Sequence, residues 1–148
     1  MLLAWRVVHA VQKLADKYFY DEDLSLISFT RKNDERRLLF RIEFFPEDGF
    51  KLEAFPCGEL VVDESSKDSV LRYVTEFNRA LCGTARLDFD LDRRVVVAVS
   101  YVSFGISNDG RFNFDMAAFE PILNETAFLA TVVSESLKAM SSDKTPNA

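Results

Sequence analysis

Arg37-Leu38-Leu39-Phe40-Arg41-Ile42-Glu43-Phe44-Phe45 is the stretch on which the fold turns. Leu38, Phe40, Ile42 and Phe44 alternate with Arg37, Leu39, Arg41 and Glu43. A period of two puts the first set on one face of a strand and the second on the other. One buried face and one mostly wet face are the mark of an antiparallel sheet.

Two more strands flank this one. Leu24 to Arg31 precedes it across the polar turn Lys32-Asn33-Asp34-Glu35. Phe50 to Phe55 follows across Pro46-Glu47-Asp48-Gly49, where proline presets φ and glycine accepts a positive value. Pro56 and Gly58 interrupt that strand, which is expected to resume over Leu60 to Val62. Upstream, Leu3, Val7, Val11, Leu14 and Tyr18 recur at three- and four-residue steps and predict a first helix. Downstream, Ser65-Ser66-Lys67-Asp68 resembles a capping box. It opens a second helix with a buried stripe of Val70, Val74, Phe77 and Leu81, and Gly83 is the expected stop.

A second hairpin comes next. Leu87, Phe89 and Leu91 alternate with Asp88, Asp90 and Asp92, and the turn falls at Asp92-Arg93. Its return strand, Arg94 to Ser103, is apolar on both faces through Val95 to Val99, so cover is expected on both sides. A second subunit is one candidate for that cover. A third helix is expected from Asn113 to Asp115 onward, along Met116, Phe119, Leu123, Thr126, Ala130, Val133 and Leu137, with Pro121 in its first turns or at a kink. Ser141 to Ala148 reads as a frayed tail. The expectation is an α+β fold of order αβββαββα, with a five-stranded antiparallel sheet in one domain over residues 1–140.

Composition narrows the function classes. The chain has 148 residues, 14 of them phenylalanine, so an ordinary hydrophobic core suffices to hold it. Its net charge is −6 and its pI about 4.8, which disfavours nucleic acid and anionic membrane surfaces as partners. The start, MLLAWRVVHAV, is broken by Arg6 and His9 and does not read as a signal peptide; no apolar run reaches a bilayer-spanning length. A cytoplasmic protein is expected. Cys57 and Cys82 form no CxxC pair and read as free thiols.

Chemistry-bearing residues are few. His9, the sole histidine, has no identifiable nucleophile or orienting group beside it. Cys57 in Pro56-Cys57-Gly58 is the one candidate nucleophile, with no cation or helix end nearby to lower its pKa. Asp88, Asp90 and Asp92 start like a calcium loop, but Arg93 and Ser100 stand where glycine and glutamate are required. Arg31, Lys32, Arg36, Arg37, Arg93 and Arg94 gather at hairpin tips, where charge deters aggregation. Asn124-Glu125-Thr126 matches a glycosylation sequon but falls inside a helix. No P-loop, dinucleotide fingerprint or zinc spacing is present. No catalytic, metal or cofactor residue is therefore assigned.

The segment Phe77-Asn78-Arg79-Ala80-Leu81-Cys82-Gly83-Thr84-Ala85-Arg86-Leu87-Asp88-Phe89-Asp90 resembles the heart of the YbjN-like family, described as putative bacterial sensory transduction regulators. There a helix ending in an apolar-Asn pair leads through a glycine-containing turn into a strand of xLDxD character. Tyr18 to Phe55 and the helix with Phe119, Leu123 and Val133 are similar too, so the resemblance spans residues 5 to 140. The long return strand Val95 to Ile106 and Pro121 depart from the pattern. The resemblance implies a fold like that of class I type III secretion chaperones, often dimeric, acidic and cytoplasmic, which hold a partly unfolded client. It carries no catalytic residues.

The expected function is a non-enzymatic protein-binding module, chaperone-like or regulatory, acting as a homodimer. Self-association is placed on Phe77, Leu81, Val95, Val97 and Val99, and client contact on Trp5, Phe29 and Phe44. Two alternatives remain: a small-ligand sensor with a pocket between sheet and helices, and an enzyme using Cys57.

Overall fold

The computed structural model describes residues 2–33, 36–45, 49–56, 61–81, 83–103 and 116–143. The chain runs α1 (Leu2–Leu14), β1 (Lys17–Asp21), β2 (Leu26–Asn33), β3 (Arg36–Phe45), β4 (Gly49–Pro56), α2 (Lys67–Ala80), β5 (Arg86–Asp90), β6 (Val95–Ser103) and α3 (Phe119–Asp143). Short 3-10 turns at Glu64–Ser66 and Met116–Ala118 lead into α2 and α3. The fold is α+β, with one open sheet of order β1-β2-β3-β4-β6-β5 in which every neighbouring pair is antiparallel.

The sheet has six strands where five are expected, and the element order is αββββαββα. The extra strand is β1. Tyr18 lies four residues after Leu14 and so extends a helical stripe on paper, but the helix ends at Leu14. The Asp16 N–H donates to the Thr30 carbonyl at 2.8 Å and its carboxylate accepts the Lys32 N–H at 3.0 Å, which carries the chain into the sheet.

The meander β2-β3-β4 keeps the register that alternation implies: Phe29 faces Phe40, Ile27 faces Ile42, and Ile42 faces Leu52. These side chains point to the helix-covered face. Val7, Val8 and Val11 of α1, Val70 and Val74 of α2, and Phe119, Leu123, Ala127, Ala130, Val133 and Leu137 of α3 close one core with them. Phe29 and Phe40 stack at 4.8 Å. Buried Ser100 and Thr126 hydroxyls meet at 2.7 Å, and the Thr126 hydroxyl also reaches the Ile122 carbonyl, tying α3 to β6. Gly49 faces Ser103 across the sheet so closely that a Cβ there would collide with the Val102 carbonyl.

Local signals met mixed outcomes. Ser65 lies within a 3-10 turn, and the N-cap of α2 is Ser66, with no side-chain capping bond. Gly83 is not the helix stop, since α2 ends at Ala80 with an extended Leu81. The space at Gly83 is needed instead by the Glu125 carboxylate, which a Cβ there would strike. Pro121 occupies the third position of α3, where its missing N–H has no helical partner to lose. That helix runs to Asp143, beyond the expected start of the tail. Its expected start at Asn113–Asp115, the turn Pro46–Asp48 and residues 57–60 lie outside the described residues. Met116–Lys138 has the length and apolar character of a membrane-crossing helix, contrary to the sequence expectation, but its apolar stripe packs on the sheet.

Candidate binding surface

On the face away from the helices, Val95, Val97 and Val99 join Phe55 and Leu39 in a small separate cluster to which no helix residue belongs. The three valines are 2%, 5% and 3% exposed within the single chain. Their burial therefore calls for no second subunit, which corrects the expected interface. Phe77 and Leu81 are half-buried against the chain's own core. Phe29 and Phe44, expected as client anchors, are core residues at 2% and 5% exposure and present no surface. Both belong to the apolar set that alternation puts inside, and core packing uses them.

Trp5 is different. It is 51% exposed and its ring meets Tyr20 edge-on at 6.0 Å. Tyr20 stands on β1, which is an outer strand of the sheet. Tyr18 and Tyr20 face Phe29 and Ile27 and so share the helix side, while Phe19 faces Ser28 on the other side. Tyr18 and Phe19 are 47% and 66% exposed, and the Gln12 amide donates to the Tyr18 hydroxyl at 2.8 Å. The outcome is an aromatic rim along one sheet edge: Trp5 and Gln12 from α1 above, and Tyr18, Phe19 and Tyr20 from β1 below.

The opposite edge, β5, is occupied at Leu87. Asn78 of α2 bonds both backbone groups of Leu87, so that stretch offers no free ladder. Sheet edges are templates for pairing unless blocked. Of the two edges, β1 is the one with exposed aromatic side chains and no such clamp among the described residues.

A second feature lies further round the exposed face of α1. Arg6, His9 and Lys13, spaced by three and four residues, line a groove of about 510 Å³ with Met116, Phe119 and Glu120. His9 thus stands among cations on an exposed helix face. Cys57 and Cys82 lie outside the described residues, so the thiol assignment is untouched by the geometry. Asp90 organises its own hairpin, accepting the N–H groups of Asp92 and Arg93 at 3.1 and 3.2 Å, which accounts for part of the acidic run. Arg31 donates to Asn124 at 3.0 Å, Arg37 lies 4.0 Å from Asp16 and Arg94 3.9 Å from Glu64, so these hairpin cations have protein partners.

Sequence reasoning missed the β1 edge because it took Tyr18 as helical. The signal for a strand there is composition: Tyr18-Phe19-Tyr20 are three consecutive aromatics of the kind that strands favour. Among known proteins, no family model matches the chain, and no curated protein or solved structure matches it.

Proposed function

We propose that this chain is a non-enzymatic protein-binding module, chaperone-like or regulatory, that works as a homodimer joined edge to edge through β1. The observation that carries the reading is the self-complementarity of that strand. When two copies pair antiparallel about Phe19, Lys17 of each lies opposite Asp21 of the other and Tyr18 opposite Tyr20. Opposite charges and aromatic pairs across strands contribute roughly 0.2–1 kcal/mol each. The pairing is isologous, so it closes as a two-fold dimer rather than growing into a fibre.

In such a dimer the helix faces lie on the same side, and a Trp5 from each copy flanks the seam. That aromatic strip is the surface assigned to an apolar client segment. The reading keeps the class suggested by the resemblance to the YbjN-like family and moves the dimer contact from the end of α2 and β6 to β1. Sedimentation equilibrium tests it. The wild type sediments as a dimer, and Phe19→Asp, which sets two carboxylates face to face on an exposed site, sediments as a folded monomer. A wild type that stays monomeric at every concentration, or a Phe19→Asp variant that remains dimeric, overturns it.

A further inference from the structure

The groove beside α1 carries an inference independent of pairing at β1. Arg6, His9 and Lys13 form one row on the exposed face of α1, with His9 beside Trp5 and Gln12 and with Arg6 and Lys13 further round the helix. None of the three makes an ion pair or hydrogen bond with a described residue. Ala10, Leu14, Met116 and Phe119 supply the apolar part of the groove. Phe119 is 1% exposed and belongs to the core, so the apolar surface open to a ligand is that of Ala10, Leu14 and Met116. Glu120 stands on the α3 side. The volume, about 510 Å³, falls in the range of small-molecule sites.

We infer that this groove binds a small amphiphilic carboxylate, its head on Arg6 and Lys13 and its tail against the partly exposed Ala10, Leu14 and Met116. Among the described lining residues, two permanent cations against the one acid Glu120 leave one positive charge for a ligand to neutralise, which suits a monoanion. The guanidinium fork of Arg6 matches a carboxylate in a bidentate pose. The apolar wall is what separates such a ligand from acetate or inorganic anions, which would gain only the charge contact. That a chain of net charge −6 keeps three basic side chains along one groove with no partner among the described residues is the feature the ligand explains.

The test is a titration of ¹⁵N-labelled protein with octanoate and, in parallel, octanol and acetate. It is run on the wild type and on the Phe19→Asp variant, so that failure of the dimer reading is seen separately. Octanoate is expected to shift the amides of residues 5–14 and 116–123 saturably, with octanol and acetate about tenfold weaker or more. The paired substitution Arg6→Ala with Lys13→Ala, both at exposed side chains, is expected to weaken octanoate by about tenfold and leave octanol unchanged. Circular dichroism checks that this variant is folded. Equal binding of octanoate and octanol, shifts mapping elsewhere, or no saturable shift overturns the inference. So does a synthetic acidic amphipathic peptide that occupies the groove when octanoate does not, which would assign it to a polypeptide.

Discussion

Asn78 holds Leu87 as a neighbouring strand would: its side-chain N–H donates to the Leu87 carbonyl at 2.9 Å and its side-chain oxygen accepts the Leu87 N–H at 2.8 Å. One amide thus satisfies both backbone groups of an outer strand and anchors the end of α2 to β5. No other uncharged side chain of that length presents a donor and an acceptor together in this way. The apolar-Asn pair at the helix end and the Leu-Asp strand that follows are thereby two halves of one contact.

Asn78→Ala is expected to destabilise the protein by about 2–3 kcal/mol, since it removes two hydrogen bonds and leaves part-buried backbone groups unpaired. Asn78→Asp keeps the acceptor but turns an oxygen toward the Leu87 carbonyl, so it is expected to cost at least as much. Urea unfolding with an unchanged slope measures both. A loss below about 0.5 kcal/mol for Asn78→Ala would show that the clamp is incidental.

Glu125 fastens α3 to the same region. Its Oε1 accepts the N–H groups of Thr84 and Ala85 at 3.1 and 3.3 Å, over the space left by Gly83. Gly83→Ala must push the carboxylate away, so it removes the contact that Glu125→Ala removes. Each substitution is expected to cost about 1 kcal/mol, and the double variant about the same as either alone. Additive losses would mean that the two residues act separately.

Lys51, on the face away from the helices, lies 2.8 Å from Glu53 and 3.7 Å from Glu43. The hydrogen bond to Glu53 raises its pKa above the ordinary 10.5; burial opposes this, and the charges of Glu53, Tyr101 and Glu43 add to the rise. A raised folded-state value means that the stabilisation is complete below 10.5 and fades as pH climbs through the folded value. Lys51→Met is expected to cost up to about 1 kcal/mol near neutral pH, as for other partly exposed ion pairs. The gap between variant and wild type should stay level to about pH 10 and narrow above it. A gap that widens at high pH would contradict this assignment.

The central meander was legible because Leu38, Phe40, Ile42 and Phe44 keep a strict period of two, and a one-residue slip would turn all four outward. The same pattern places Phe44 inside, so its burial is readable from the alternation and conflicts with a role as surface anchor. β1 was not legible by periodicity alone. Tyr18 fits a helix after Leu14, and what decides against it is bonding of Asp16 to Thr30 and Lys32, residues distant in sequence. The doubly apolar run Val95–Val99 announced cover on both faces, and both faces are buried within one chain. The groove was beyond sequence reading, because Arg6 and Lys13 acquire part of their apolar wall from Met116, more than a hundred residues away.

The most direct test of pairing at β1 mixes two variants, Lys17→Glu and Asp21→Lys. Each alone places like charges opposite one another at both ends of the paired strands. Each is therefore expected to dimerise about thirtyfold more weakly than the wild type, for about 2 kcal/mol over the two contacts. Asp21 also accepts the Leu24 N–H at 3.1 Å in the β1–β2 turn, and mixing separates the two roles because the Asp21→Lys copy lacks that bond whether it pairs with itself or with the Lys17→Glu copy. Combined in equal amounts and followed by native mass spectrometry, the variants should form a heterodimer in which every charge again meets its opposite. Unaltered homodimers, or a mixture that never yields the heterodimer, would contradict assembly through this edge.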